Sequence, residues 1–154
     1  MPREIERKYL VMGDGWRAGA EGVLCRQGYL CVGPPVAVRV RIMGEESTIN
    51  VKAAVVDITR DEYEYPIPMG DAEELLEHHC MGHPIEKTRH VVRFAGKKWE
   101  IDEFHGVNGG LIVAEIELDN AEEEFEKPPW LAEEVSGDPR YLNSHLTMHP
   151  FSKW

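Results

Sequence analysis

The sequence predicts a mainly β protein: an eight-stranded antiparallel β-barrel that forms a charged tunnel, with a few short flanking helices. Three observations carry that expectation. Short segments of alternating polarity recur between turn residues, which marks antiparallel strands rather than helices. There are about eight of them, a number at which a sheet can close around a narrow interior. Strand after strand also carries one charged face, and the signs are sorted by strand, whereas a merely solvated surface intersperses them.

The elements follow in order. Residues 3–11, "REIERKYLV", put Glu4, Glu6 and Lys8 on one face and Ile5, Arg7 and Tyr9 on the other. Further strands are expected over 24–32, 36–43, 47–54 and 60–67, with breaks at "VGPP", "MGEES" and "AAVVD". In "VAVRVRIM", Val36, Val38, Val40 and Ile42 alternate with Arg39 and Arg41, so the two guanidinium groups share a wall. "TINVK" sets Lys52 opposite Val51, and "RDEYEY" aligns Arg60, Glu62 and Glu64. Residues 71–81, "DAEELLEHHCM", read as a helix with Asp71 near its start. Strands at 86–95, 97–104 and 111–119, broken at "AGKK" and "HGVNGG", pair Lys87 with Arg89, Glu100 with Asp102, and Glu115 with Glu117 and Asp119. "NAEEEFEKPPW" starts a second helix that Pro128 and Pro129 end.

One cluster invites a zinc reading, because His79 and His83 stand one helical turn apart beside His78 and Cys80. It lacks a third ligand, and Gly82 is expected to end the helix, so these histidines are assigned to stabilising a helix C-terminus.

Composition sets the class. With 154 residues, 42% hydrophobic and 29% charged, the chain is expected to form one domain over 1–154. A formal charge of -11, from 28 acidic and 17 basic residues, argues against nonspecific adhesion to nucleic acid or anionic membrane. Cys25, Cys31 and Cys80 have no C-x-x-C spacing, so neither a disulfide framework nor a structural zinc site is indicated. Without an apolar span or a leader, a soluble, cytoplasmic protein is expected.

If the charged faces line the interior, the apolar set of Val36, Val38, Val40, Ile42, Ile101, Ala114, Ile116 and Leu118 looks outward and needs cover. Two short helices cover little of a barrel, which predicts a homodimer. A porin also has a charged lumen, but these strands are short and the exterior lacks an aromatic girdle. A basic sector facing an acidic one suits a polyphosphate with its divalent cations. Carboxylate oxygens are the ligands Mg²⁺ or Mn²⁺ prefers, and arginine and lysine complement phosphate oxygens.

The segment "EIERK" resembles the E-x-E-x-K signature of the CYTH superfamily, also called the triphosphate tunnel metalloenzymes. The resemblance runs on through "RQGYL" at 26–30, "VRVRI" at 38–42, "INVK" at 49–52, "TRDEYEYPI" at 59–67, "EKTR" at 86–89, "WEIDEFHG" at 99–106, "AEIEL" at 114–118 and "DPRYLN" at 138–143. In that family an eight-stranded antiparallel barrel forms a tunnel that binds triphosphates and metal. The resemblance implies that Glu4, Glu6, Glu115 and Glu117 hold Mg²⁺ or Mn²⁺, and that Glu100 and Asp102 hold a second metal or orient basic residues. It assigns Lys8, Arg39, Arg41, Lys52, Lys87 and Arg89 to the phosphates. Tyr29 and Lys52 resemble a tyrosine and lysine pair that some bacterial members place near the reacting phosphate. Asp119 stands where many members have a third glutamate, and Arg60 and Glu62 reach the tunnel face as an ion pair or as part of the site.

The compact chain is similar to the short bacterial members, which implies hydrolysis of inorganic tripolyphosphate to pyrophosphate and phosphate. Thiamine triphosphatase or class IV type adenylyl cyclase activity would use the same tunnel with a pocket for an organic group. The basic and aromatic signature of the cyclases is not found in "MGDGWRAGAEG". A noncatalytic polyphosphate or nucleotide-binding protein would keep the grip without turnover.

Overall fold

The computed structural model describes residues 3–54 and 57–154. The predicted break at "AAVVD" includes Val55 and Val56, which lie outside the described residues. Eight strands form the barrel: β1 (Arg3–Val11), β2 (Glu21–Cys31), β3 (Val36–Met43), β4 (Glu46–Ala53), β5 (Thr59–Pro66), β6 (Met81–Phe94), β7 (Lys97–Phe104) and β8 (Ile112–Glu117). They pair in the order β5-β4-β3-β2-β6-β7-β8-β1, and β1 returns to β5 to close the ring. Every pairing is antiparallel. The closing seam is short, setting Arg3, Glu4 and Ile5 opposite Asp61, Arg60 and Thr59. Past the seam, the free edge of β1 is taken by a further strand, β9 (Leu131–Glu134), whose four residues alternate too briefly to read from sequence. β1, β3 and β7 have the predicted bounds, whereas β6 starts at Met81 rather than 86.

The helices differ more. Helix α1 (Met69–His78) forms because Met69, Ala72, Leu75 and Leu76 make one apolar stripe that lies over Val40 and Ile42 of β3. It ends at His78, and the chain enters β6 after two intervening residues, so His79 and His83 are not a helical turn apart. Gly82 sits inside β6 and does not end the helix. The helix expected at "NAEEEFEKPPW" is absent; residues 119–130 run as bends, turns and irregular chain. The run of glutamates repels itself at helical spacing. Phe125 and Trp130 gain more by packing on Trp99, with ring centroids 5.6 Å away in each case. In its place the C-terminal region forms α2 (Asn143–Met148), too short for a 3.6-residue period to show in the sequence. Among the described residues no helix is long and apolar enough to cross a membrane.

The hydrophobic core is divided among three clusters. One covers the outer wall of β1, β7 and β8, where Trp16, Phe125, Trp130 and Leu131 lie over Tyr9, Trp99, Ile101, Ala114 and Ile116. The second lies between α1 and β3. The third is inside the barrel: beyond Lys8, Glu115, Asp102 and Lys87, the inward faces turn apolar at Leu10, Val113, Phe104 and Ile85. These pack with Val135, Tyr141 and Leu146 as a plug. The chain's own segments therefore supply much of the cover that the sequence pattern assigns to a partner subunit.

The plug depends on one close approach. Gly82 has φ +61, and a Cβ there would lie 2.3 Å from the Thr147 carbonyl oxygen. Gly82→Ala meets both left-handed strain and a backbone clash, so it is expected to destabilise by about 2–4 kcal/mol. That lowers the melting temperature by roughly 5–15 °C. Gly70→Ala, on α1 with nothing within 4 Å, is the control and should be neutral or stabilising. Equal melting temperatures for the two variants would show that α2 does not need this contact.

Candidate active site

The inward faces enclose a cavity of about 240 Å³. Its walls carry seven carboxylates (Glu4, Glu6, Glu62, Glu64, Glu100, Glu115 and Glu117) and seven cations (Lys8, Arg39, Arg41, Lys52, Arg60, Lys87 and Arg89). Antiparallel register sets them in cross-strand pairs: Glu6 faces Glu117, Lys8 faces Glu115, Glu100 faces Glu115, and Asp102 faces Arg89. The cavity thus gathers the predicted metal and phosphate residues on facing walls, apart from Asp102.

The basic wall comes from β3 and β6, which flank β2. Arg39 has no carboxylate within ion-pair distance among the described residues, and its buried Nε–H has no acceptor. Arg41 pairs with Glu64 at 3.2 Å. Burial, and then repulsion from Arg39 and Arg89, pull the Arg41 guanidinium below its ordinary value. Three guanidinium groups crowded in this way, one of them unpartnered, form a site short of an anion. Tyr29 faces Arg39 across β2–β3 and is buried on the same wall. Lys52 turns the other way, donating to Glu4 at 3.0 Å with Glu62 at 3.7 Å, so it bridges two carboxylates rather than pairing with Tyr29.

Asp102 lies behind that wall and pairs with Lys87, which lines the cavity, each with 1% of its side chain exposed. Asp102 accepts from Lys87 Nζ at 2.8 Å and from Arg89 Nε and Nη2 at 2.8 and 2.9 Å. Burial works against its ionisation, but Arg89 and Lys87 outweigh it and hold the carboxyl far below the usual range. Burial, opposed by Asp102, draws the Lys87 ammonium below its ordinary value. With both oxygens committed to cations, Asp102 is the buried anchor that aims Lys87 and Arg89.

On the opposite wall the balance reverses. Burial, then Glu115 and Glu4, push the Glu6 carboxyl up to about 8. Burial and the bond to Glu62 raise Glu4, and burial followed by Glu4 and Glu100 raises Glu117. Glu115 goes down despite burial, because Lys8 and Arg89 stand beside it. Among the described residues no three carboxylates already converge as a chelating group, since Lys52 and Lys8 hold Glu4 and Glu115. The donor set nevertheless fits a hard divalent cation: it is all oxygen, and burial with repulsion from neighbouring carboxylates raises Glu6 and Glu117 on the same wall, a crowding that a bound cation relieves.

Other residues complete the picture. Arg60 approaches Glu6 at 3.9 Å, and Glu62 accepts from Asn50 Nδ2 at 2.9 Å. Asp119 lies past the end of β8, exposed and outside the cavity, where its N–H donates to Glu123. A reading built on charge misses the neutral lining of Asn50, Leu142, Asn143 and Ser144. Asn143 closes the "DPRYLN" segment, which was the available signal.

A closed antiparallel barrel whose cavity sets a guanidinium wall against a carboxylate wall is a tunnel protein built for a polyanion. The chain belongs to the CYTH family: the CYTH domain model matches residues 2–143. It is 47% identical over 154 residues to an inorganic triphosphatase of Acetivibrio thermocellus, covering 100% of this chain and 99% of that one. An inorganic triphosphatase of Nitrosomonas europaea is 35% identical over 151 residues, or 94% of this chain and 97% of the relative. The crystal structure of an inorganic triphosphatase superposes with a TM-score of 0.68 at 34% identity, over 96% of each chain.

Proposed function

We propose that this protein is a metal-dependent triphosphatase that hydrolyses inorganic tripolyphosphate to pyrophosphate and phosphate. The observation that carries the reading is a cavity in which a buried arginine without a carboxylate partner, Arg39, stands beside Arg41 and Arg89 and faces a wall of crowded carboxylates. The relatives of matching length, which are inorganic triphosphatases, support it. Tyr29 is the one aromatic residue lining the cavity among the described residues, which favours an inorganic substrate over one carrying a base or thiamine ring.

In this reading Arg39, Arg41, Lys87, Arg89 and Lys8 grip the phosphate oxygens, and they offset charge that builds on the reacting phosphoryl group. Glu4, Glu6, Glu115 and Glu117, with Glu100 beside them, hold Mg²⁺ or Mn²⁺. The bound cation supplies Lewis-acid polarisation of the phosphoryl oxygens. Asp102 positions Lys87 and Arg89 and is not a metal ligand. Lys52, held between Glu4 and Glu62, stands at the junction of the two walls and orients the attacking water with Tyr29 across the cavity. The three free thiols suit a cytoplasmic setting. A homodimer would use the apolar residues left exposed, such as Leu24 and Tyr65, and sedimentation velocity tests it.

The test is phosphate release from tripolyphosphate, ATP, thiamine triphosphate and pyrophosphate with Mg²⁺ or Mn²⁺. Tripolyphosphate should be preferred, and the activity should vanish in chelator. Binding without release would make the protein a noncatalytic polyphosphate receptor. Preference for thiamine triphosphate, or cyclisation of ATP, would replace the substrate assigned here.

A further inference from the structure

Asn143 stands at the start of α2, where the plug meets the cavity. Two donors converge on its side-chain oxygen, Gln27 Nε2 at 2.7 Å and Lys87 Nζ at 3.0 Å. The lysine fixes which end of the amide this is, because an ammonium only donates and the atom it meets must be the carbonyl oxygen. The amide NH₂ then points away from both. It meets no acceptor among the described residues, yet it is not among the polar atoms sealed from solvent, so it opens to the cavity. The anchors are rigid: Gln27 is fully buried, and Lys87 is also tied to Asp102 at 2.8 Å.

We infer that Asn143 is a further phosphate-binding residue, which presents a fixed neutral N–H donor beside the Lys87 ammonium to an oxygen of the bound polyphosphate. The inference rests on the triphosphatase reading. It gives the plug a role beyond closing the barrel, since α2 supplies part of the grip. A neutral donor has its own signature. It strengthens binding without adding charge, so its loss leaves the salt dependence of binding unchanged, whereas loss of an arginine lowers it.

Calorimetric titration of tripolyphosphate into the full chain, with chelator present to stop turnover, separates the outcomes. Asn143→Ala should bind about tenfold to hundredfold more weakly, as for a lost hydrogen bond to a charged group. Its affinity should fall with salt as steeply as the wild type's, while Arg39→Ala should show a shallower fall. Gln27→Met removes one anchor but leaves the amide, and should lose less than Asn143→Ala. Asn143→Asp keeps the oxygen that Gln27 and Lys87 need, so its melting temperature should hold while binding is lost. Wild-type affinity in Asn143→Asp, or equal losses in Asn143→Ala and Gln27→Met, would make Asn143 a structural pin and overturn the inference alone. If the wild type binds no tripolyphosphate and also releases no phosphate from it with Mg²⁺ or Mn²⁺, the functional reading falls, and this inference with it; release without metal-free binding moves the same comparisons to KM.

Discussion

Glu6→Gln should lower turnover by about a thousandfold or more while leaving the metal-free protein at least as stable as the wild type. The first half follows from position, since Glu6 faces Glu117 and shares its wall with Glu4 and Glu115. Losing several kcal/mol of electrostatic stabilisation corresponds to about that factor. The second half follows from crowding. Burial and the neighbouring carboxylates hold Glu6 up to about 8, so at neutral pH without metal it is mostly protonated, and glutamine reproduces that neutral form. The linkage has a definite sign. The unfolded chain releases this proton near 4.5 and the fold keeps it to about 8, so Glu6 makes the metal-free wild type lose stability as pH rises between those values. The glutamine variant lacks that contribution, and the gap in melting temperature between the two should open in its favour across this window. Added Mg²⁺ should stabilise the wild type and not the variant. Unchanged turnover would remove Glu6 from the metal site, and a large loss of metal-free stability would contradict the crowding.

Asp102→Ala should be the most damaging substitution for the fold. Lys87 is buried and would keep Asn143 as its remaining partner, while Arg89 would lose two hydrogen bonds. Breaking a buried pair from one side costs about 3–5 kcal/mol, because the charge left behind is uncompensated. For a chain of this size that is roughly 6–20 °C in melting temperature. Arg89→Ala leaves Asp102 with Lys87 and should cost less. A fall of under about 2 °C for Asp102→Ala, read by differential scanning calorimetry, would mean that water reaches the pair and that it does not anchor the basic wall.

The strands and most of the charged site were legible because both follow one rule, the two-residue period of a pleated chain. Arg39 with Arg41, Glu4 with Glu6, and Lys87 with Arg89 had to share faces once their segments were strands. What the period cannot show is where an inward face changes character. Lys8 and Leu10, or Glu115 and Val113, lie on the same inner wall, one in the cavity and the other in the plug. Nor does it show what a neutral side chain does, since Asn50, Gln27 and Asn143 gain their roles from partners 12 to 116 residues away in the chain. The segment 120–130 looked helical by composition. Its conformation was decided instead by an aromatic pocket on another strand, which local propensity does not encode.

Two of the three apolar clusters lie outside the barrel wall, so much of what makes the protein fold is separated by one backbone layer from what makes it act. In an ordinary barrel, reshaping the interior means repacking the core and risking the fold. Here the cavity residues are mostly charges held close together against their own repulsion, and replacing one whose paired cation stands as far off as 3.9 Å, such as Glu6, leaves the outer clusters untouched. Substrate preference in such a scaffold can drift over evolutionary time through viable intermediates, because exchanges that alter the catalytic chemistry need not pass through an unfolded ancestor.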